Sequence, residues 1–345
     1  MRKLITICAV VVLVLALGTT AKAETWNVPG DFSSIQDAID SAAVVTGDTI
    51  LVGPGNHDGA TVTKAVEIKG EDGAVINSGP MYANKYMTGF LFRDGHGNGA
   101  TISHLSFETV DLPVYSRDTH DVTVEHCTFT SPMQGITNWN GNGWNISHNA
   151  INGLRTISGG GIGIFVGTRA PEGSTAKNNL IAHNKVTGQV VVPQEEIDRY
   201  NEGPEYPEAG YSVPGICLMS DRRKDKPAGT ISGNRILKNK IALSSNNPRN
   251  HWPCGIGLSD LGLKYLDPPV PDLLDNKIGF NDVRGMLGIE GTPIALVPDE
   301  LDDSNKISRN LGDDANNRGH GVHPQVLFVV EWCQPRGNLT SIGLQ

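Results

Sequence analysis

Aromatic side chains are scarce in this sequence of 345 residues, at 6% of the total, and acidic residues outnumber basic ones. The formal net charge is −9, whereas binding to the phosphates of nucleic acid requires clustered Lys and Arg. The charge balance therefore argues against nucleic acid as a partner. Few bulky side chains and 41 glycines indicate many tight turns around thin core layers.

Long apolar runs are absent after the N-terminus. Residues 4–17 are apolar, follow Arg2 and Lys3, and precede the small-residue sequence Ala21-Lys-Ala23, which is the order of segments in a secretory signal peptide. The run is short for a membrane span, although a retained anchor is the alternative. We expect residues 1–23 to be a signal peptide, and the mature chain to be secreted, periplasmic or located at the cell surface without membrane insertion.

Cysteine is also infrequent. After the predicted signal peptide the sequence contains Cys127, Cys217, Cys254 and Cys333. None belongs to a C-x-x-C pair of the kind that binds zinc. Export would permit disulfides, and all three pairings of four thiols stay open. Cys127 takes an inward position of the repeat described next, which favours a buried thiol there.

The motif N-x-I-x-x-N occurs four times, at 179–184, 234–239, 276–281 and 305–310. Looser copies with the pattern apolar-x-x-inward-x-apolar begin at Ile102, Val124 and Ile146, 22 residues apart. Residues alternate with a period of two inside each copy, which is typical of strands. Repetition at this interval indicates a stacked repeat architecture.

The repeat predicts an all-β fold, a single-stranded right-handed parallel β-helix (solenoid) whose coils lie about 4.8 Å apart. Identical Asn side chains in successive coils would hydrogen-bond along the stack. We expect this domain at residues 24–325, followed by a strand and tail at 326–345. The inward anchors are expected at residues 102, 124, 146, 181, 236, 278 and 307.

A different periodicity precedes the repeats. In residues 32–42, apolar side chains recur at the spacing of one helix face, namely at Ile35, Ala38, Ile39 and Ala42. Asp31, Ser33 or Ser34 can cap the first turn of such a helix. An N-terminal capping helix over the open end of the stack would protect the edges of its strands.

Residues 28–70, VPGDFSSIQDAIDSA…GDTILVGPGNHDGATVTKAVEIKG, resemble the opening of secreted right-handed parallel β-helix proteins of the pectin-lyase-like superfamily. The N-x-I-x-x-N units are similar to the parallel β-helix repeats of that superfamily, including its NosD-like group. Together the resemblances cover about residues 24–310. They imply the fold, whereas the superfamily includes lyases, hydrolases, esterases, epimerases and non-enzymes. No complete catalytic set of one such family occurs in this sequence.

Charged and aromatic residues follow the Gly-Ile-type strands of successive coils. If the coils are in register, these residues form a column about 25 Å long over six coils, long enough for an extended chain ligand. The catalytic candidates are Asp118, Arg169, Asp221, Arg222 and Asp260. The substrate-binding candidates are Arg93, Asp94, Arg117, His120, Trp139 and Trp252.

Such a column suits an extracellular, uronate-containing polysaccharide bound by a monomer. Arg pairs with uronate carboxylates, Asp accepts hydrogen bonds from sugar hydroxyls, and aromatic rings stack on sugars. The resemblance implies two cleavage routes. In one, an Arg base acts beside carboxylates that hold Ca²⁺, the cofactor of that alternative, and in the other, paired carboxylates catalyse hydrolysis.

Three alternatives remain open. The charged residues can be solvated ion pairs at strand ends, and the protein can be a non-catalytic structural or adhesion module similar to NosD-like accessory proteins. A metal-binding module is the third alternative. Its evidence is a set of scattered histidines, His96, His104, His120, His126, His148 and His183.

Overall fold

The computed structural model describes residues 22–157, 159–169, 171–202, 211–221, 229–248, 250–260, 270–286, 292–297 and 301–312. Apart from one two-residue strand that pairs antiparallel, the strands in these ranges form parallel sheets. They are numbered β1 to β29 in chain order. The all-β, solenoid-like architecture expected from the repeats is therefore present.

Sheet A has ten strands, β1 (Thr25–Val28), β2 (Thr49–Val52), β5 (Glu67–Gly70), β9 (Thr101–Ser103), β12 (Thr123–Glu125), β15 (Asn145–Ser147), β19 (Leu180–Ala182), β23 (Arg235–Leu237), β27 (Lys277–Gly279) and β29 (Lys306–Ser308). Sheet B has seven, β3 (Gly55–Asp58), β6 (Ala74–Ser78), β10 (Ser106–Phe107), β13 (Thr128–Thr130), β16 (Ala150–Arg155), β20 (Lys185–Val191) and β24 (Lys240–Ser245).

Sheet C contains β4 (Ala60–Thr61), β8 (Tyr86–Arg93), β11 (Leu112–Arg117), β14 (Gln134–Trp139), β17 (Ile162–Thr168), β21 (Tyr211–Ser220), β25 (His251–Ser259) and β28 (Thr292–Val297), and β7 (Met81–Tyr82) pairs antiparallel with β8. Sheet D is small and consists of β18 (Thr175–Lys177), β22 (Thr230–Ser232) and β26 (Leu273–Leu274).

The chain visits sheets A, B and C in turn, so that each coil adds one strand to each sheet. Thus β9, β10 and β11 are followed by β12, which returns to pair with β9. Ile102 pairs with Val124 and Val124 with Ile146, so the predicted register of 22 residues is confirmed. The later anchors continue the same row across sheet A through residues 181, 236, 278 and 307.

A two-residue turn joins sheet A to sheet B in seven successive coils. Its first residue has a positive φ between 54° and 60°, in His104, His126, His148, His183, Lys238, Phe280 and Arg309. The left-handed conformation reverses the chain within two residues, and His and Asn tolerate it better than most side chains. The second residue of five of these turns is Asn149, Asn184, Asn239, Asn281 or Asn310, and each of these side chains is buried.

The repeated Asn residues form two ladders, one on each side of sheet A. In one ladder, Asn179 Nδ2 donates to Asn234 Oδ1 at 2.8 Å, and Asn234 Nδ2 donates to Asn276 Oδ1 at 2.9 Å. Each side-chain oxygen also accepts the backbone N–H of the Asn one coil earlier, as in Asn179 N to Asn234 Oδ1 at 2.9 Å. The motif therefore satisfies buried polar groups at the bends of the stack.

The interior between the sheets is packed with apolar side chains from the inward positions of every coil. Phe107 and Phe129 stack with ring centroids 4.9 Å apart, and Phe90 meets Phe107 edge-on. Each such fully buried side chain contributes about 1.5 to 3 kcal/mol. Cys127 lies in this core at 1% exposure, and burial raises the pKa of its thiol to about 12. The prediction of a buried thiol is confirmed.

Cys217 and Cys254 are buried as well, whereas Cys333 lies outside the described residues. The predicted pairing alternatives therefore stay open.

Helix α1 (Ile35–Asp40) begins at Ser34, whose hydroxyl accepts from the backbone N–H of Asp37. Ile35, Ala38 and Ile39 are buried, as the helical spacing predicts. Ala42 is exposed and lies beyond the helix, because Ser41 already has an extended backbone. In the described part of the chain, neither α1 nor α2 (Gln194–Glu202) has the length and apolar character of a membrane-spanning helix.

Candidate functional site

Parallel pairing in sheet C aligns the predicted strand-end residues in one row. Arg93 pairs with Arg117, and Arg117 pairs with Trp139. The same row continues through Gly167, Met219 and Ser259. We call the residues at and just after these positions the strand-end column; its described members are Arg93, Asp94, Arg117, Asp118, Trp139, Asn140, Thr168, Arg169, Asp221 and Asp260.

The chain bends sharply where the first three of these strands end. Asp94, Asp118 and Asn140 have positive φ angles of 55°, 59° and 58°. Short polar side chains adopt this conformation more readily than branched ones. The bends bring each Asp or Asn next to the aligned Arg or Trp that precedes it.

The first two coils of the column are open to solvent. Arg93 and Asp94 are exposed, and Arg117 Nε lies 3.4 Å from Asp118 Oδ2, with side-chain exposures of 43% and 39%. The Arg93 guanidinium is 5.7 Å from the centre of the half-buried Tyr82 ring. Cationic, anionic and aromatic groups thus meet on one exposed surface.

Tyr115 supports this surface from below. Its ring lies 4.2 Å from that of Tyr82, and burial raises its pKa well above the ordinary value of 10.0. The nearby charges of Arg169 and Arg117 oppose this shift without cancelling it. Tyr115 therefore carries a neutral hydroxyl and serves as a packing platform.

The middle of the column is buried. Arg169 stacks on Trp139, with its guanidinium carbon 4.4 Å from the ring centre, and Trp139 is 2% exposed. Arg169 NH2 also lies 3.4 Å from Asp221 Oδ2, with side-chain exposures of 11% and 5%. A buried Arg held by an aromatic face and a carboxylate is well ordered, because removing either partner would leave its charge unpaired.

Asn140 connects the exposed and buried parts. Its Nδ2 donates to Asp118 Oδ1 at 2.8 Å, and its Oδ1 accepts from the backbone N–H of Arg169 at 2.9 Å. Sequence reasoning did not select Asn140 as a site residue, although it follows Trp139 directly. A continuous polar chain therefore runs from Asp118 through Asn140 and Arg169 to Asp221.

Asp260 is enclosed at the far end of the column. It is 0% exposed and accepts the backbone N–H groups of Asp272 at 2.9 Å and Leu273 at 2.8 Å. These bonds hold the chain where it enters β26. The geometry gives Asp260 an anchoring part in the fold.

The remaining candidates are placed differently. His120 is partly exposed, and its Nδ1 accepts from Asn142 N at 3.1 Å, one coil along. Trp252 lies in β25, seven residues before Ser259, which is about 23 Å away along a strand. Trp252 is therefore not brought to the strand-end column. Arg222 lies outside the described residues.

A second buried polar group was not foreseen from the sequence. His251 Nε2 lies 3.1 Å from Glu196 Oε1, and Thr156 Oγ1 donates to Glu196 Oε2 at 2.9 Å. All three residues are at most 4% exposed. Glu196 belongs to α2 and His251 to β25, so this cluster ties the helix to sheet C.

Metal ligands are not grouped in the part of the chain that the structure describes. No three His, Cys, Asp or Glu side chains there have an arrangement that would hold an ion. The histidines at 104, 126, 148 and 183 stack face to face with ring centroids 4.9 to 5.1 Å apart. A single ion requires ring nitrogens at about 2.0 to 2.1 Å, which parallel rings at this separation do not supply.

Comparison with known proteins gives distant likenesses. No protein-family model matches the chain, and no curated protein does so. Among solved structures, the chain is 12% identical to the catalytic domain of an α-1,3-glucanase in complex with nigerose, with a TM-score of 0.31 and coverage of 86% of this chain and 67% of that one.

It is also 12% identical to an alginate lyase from Paenibacillus sp. str. FPU-7, with a TM-score of 0.32 and coverage of 85% and 97%. A pectin methylesterase mutant in complex with a hexasaccharide is 11% identical, with a TM-score of 0.29 and coverage of 92% and 100%. At these TM-scores the likenesses carry no argument about the activity of this chain.

Proposed function

We propose that this protein binds an extracellular polysaccharide at the open end of the strand-end column. The observation that carries the proposal is the alignment of Arg93 with Arg117 on adjacent strands, beside the exposed Asp118 and the Tyr82 ring. Two guanidinium groups one strand spacing apart, about 4.8 Å, can contact successive units of an extended chain.

Each exposed group has a part in recognising an acidic sugar. The Arg93 and Arg117 guanidinium groups donate paired hydrogen bonds to a uronate carboxylate. The carboxylates of Asp94 and Asp118 accept hydrogen bonds from sugar hydroxyls, and Tyr82 offers an aromatic face to a sugar ring. The expected ligand class is a uronate-containing polysaccharide.

Binding without cleavage is favoured by the state of the catalytic candidates. Asp221 and Asp260 are at most 4% exposed and are engaged with Arg169 and with backbone N–H groups, respectively. Cleavage would have to use Asp118, which is open to solvent and joined to Arg169 through Asn140. A lyase that uses Ca²⁺ and a hydrolase are the two enzymatic alternatives.

The setting of this function is part of the proposal. Residues 1–23 would be a signal peptide, so that the mature protein is exported as a monomer. Residues 24–325 would form one right-handed β-helix with α1 as its N-terminal cap, and residues 326–345 its strand and tail. The burial of Ile35, Ala38 and Ile39 against the first coil supports the capping role.

A panel of polysaccharides tests the proposal. The full-length mature chain should bind polygalacturonate or alginate more tightly than neutral dextran, and Arg93→Gln/Arg117→Gln should weaken binding about 10-fold, since each exposed ion pair is worth up to about 1 kcal/mol. Lys185→Gln/Lys240→Gln is the matched control, because this exposed pair of cations is also aligned on adjacent strands, but in sheet B.

The same samples distinguish binding from cleavage. Ultraviolet absorbance of unsaturated products, with and without Ca²⁺, would identify a lyase, and new reducing ends without that absorbance would identify a hydrolase. Equal affinities of the wild type and Arg93→Gln/Arg117→Gln for every polymer would overturn the proposed site.

A further inference from the structure

The outer face of sheet A contains a groove that the strand-end column does not use. Its volume is about 560 Å³, and its lining includes His126, His148, His183, Arg235, Lys238 and Lys277. These side chains come from six strands or turns in four coils. We call this feature the sheet A groove.

One wall of the groove is a ladder of imidazoles. The rings of His104, His126, His148 and His183 stack at 5.1, 5.0 and 4.9 Å, with interplanar angles that fall from 20° to 6°. All four are exposed. Lys238 takes the same turn position in the next coil, so the ladder continues into a cation.

The floor of the groove continues into a row of cations. Arg235 pairs with Lys277, and Lys277 pairs with Lys306, across three adjacent strands. All three are exposed, and among the described residues none of them takes part in an ion pair. Like charges opposite each other in a sheet are destabilising, which an anionic ligand would reverse.

We infer that the sheet A groove binds an anionic polysaccharide, which lies along the stack across the strands and binds more tightly at acidic pH. The turn column from His104 to Arg309 covers seven coils, so it extends over about 29 Å at 4.8 Å per coil. A pyranose ring is about as long as one strand spacing. A polymer with one anion per sugar would therefore meet one cationic side chain in each coil.

The surroundings favour a polysaccharide over a nucleic acid. The chain has a formal net charge of −9, and Glu67 and Glu125 lie on the same sheet toward its N-terminal end. This distribution disfavours a densely charged phosphate backbone. Phe280, which is 43% exposed beside the cations, offers an apolar face to a sugar ring.

Acidification should strengthen binding through the ladder. Imidazoles gain positive charge as the pH falls from about 7 to about 5, and stacked charges about 5 Å apart repel one another until an anion lies beside them. The other charged groups on the elements around the ladder are Lys69, Glu71, Glu125, Lys185 and Lys238. Of these, the two carboxylates can only weaken the effect of acidification as they become protonated below about pH 5.

The test uses the Arg93→Gln/Arg117→Gln chain, so that remaining binding does not come from the strand-end column. We expect it to bind alginate and dextran sulfate, but not neutral dextran, and to bind about 10-fold more tightly at pH 5.5 than at pH 7.5. Tighter binding of alginate would identify a carboxylate ligand, and tighter binding of dextran sulfate a sulfate ligand; either result supports the site.

Two further variants separate the ladder from the cation row. His126→Asn/His148→Asn/His183→Asn should remove the pH dependence, and Asn is chosen because it tolerates the positive φ of these turns. Arg235→Gln/Lys277→Gln/Lys306→Gln should weaken binding about 10-fold at both pH values. The matched control, Lys185→Gln/Lys240→Gln, should change neither property, and unchanged thermal melts verify that each variant is folded.

Three results would overturn the inference. They are an unchanged pH profile in the histidine variant, unchanged affinity in the cation variant, and tighter binding of a single-stranded oligonucleotide than of either anionic polysaccharide. The groove and the strand-end column share no residue, so the two proposals fail separately.

Discussion

Asn239 lies near the centre of the ladder between sheets A and B, and its replacement by Ala tests the structural role of the repeated Asn residues. Its Oδ1 accepts from Asn184 N at 2.9 Å and from Asn184 Nδ2 at 3.0 Å. Its Nδ2 donates to Ile181 O at 2.9 Å and to Asn281 Oδ1 at 3.0 Å. The side chain is 1% exposed, so little water competes for these bonds.

The expected loss follows from the groups left without a partner. In Asn239→Ala, the backbone N–H of Asn184, one of its side-chain N–H groups and the carbonyl of Ile181 each lose a hydrogen bond. Asn281 Oδ1 keeps the backbone N–H of residue 239 at 3.0 Å. At about 1 to 3 kcal/mol for each unsatisfied buried group, with partial relaxation, the free energy of unfolding should fall by about 3 to 6 kcal/mol.

Urea denaturation followed by far-UV circular dichroism measures this change. The exposed Asn152 of β16 is the matched control, and Asn152→Ala should alter the free energy of unfolding by less than about 0.5 kcal/mol. If Asn239→Ala cost less than about 1 kcal/mol at an unchanged denaturant slope, the ladder would not stabilise the stack in the way argued.

Three other changes test the interior and the surface. Burial raises the pKa of the Cys127 thiol to about 12, so it should react with a thiol reagent at pH 8 only after unfolding; rapid reaction in native buffer would contradict this. Glu196→Ala should destabilise the protein by about 3 kcal/mol, because the buried His251 loses a hydrogen-bond partner, and Glu196→Gln should cost less in the same thermal melts; the opposite order would count against the cluster. The hydrogen-bonded Arg284 guanidinium lowers the pKa of Asp282 from 3.8 to about 2, so its stabilisation is present above about pH 4 and is lost as the pH falls through about 2. Asp282→Asn should therefore have a lower urea midpoint than the wild type at pH 6, with the difference vanishing near pH 2; a difference independent of pH would refute this origin.

The pairing of strands could be predicted because the same residue types recur at the same place in each coil. An inward Ile or Val bracketed by Asn defines both the register and the bends, and the row from Ile102 to Ile307 confirms it. The end of α1 could not be predicted as well. Ala42 continues the apolar spacing, but the extended backbone at Ser41 ends the helix first.

Exposure of the site residues was not predictable from the repeat. Asp118 and Asp221 both follow strands of sheet C, yet their side chains are 39% and 5% exposed. The difference depends on residues distant in sequence, since Arg169 reaches Asp221 from 52 positions away. The stacked imidazoles were visible as a spacing of 22 residues, whereas the adjoining row of cations follows from pairing across insertions of unequal length.

The placement of those insertions explains why the two candidate surfaces differ. The connection from sheet A to sheet B is two residues long in each of seven coils, so the unequal spacings of the anchors arise between sheets B and C and between sheet C and the next coil. Columns of like side chains can therefore continue without interruption beside sheet A, as the histidines and cations do. At the strand ends of sheet C, each coil meets different neighbours, and only Arg93 and Arg117 repeat with similar exposure. A constant turn thus suits the sheet A groove to a ligand that is itself periodic, whereas the strand-end column is suited to recognising a few sugar units.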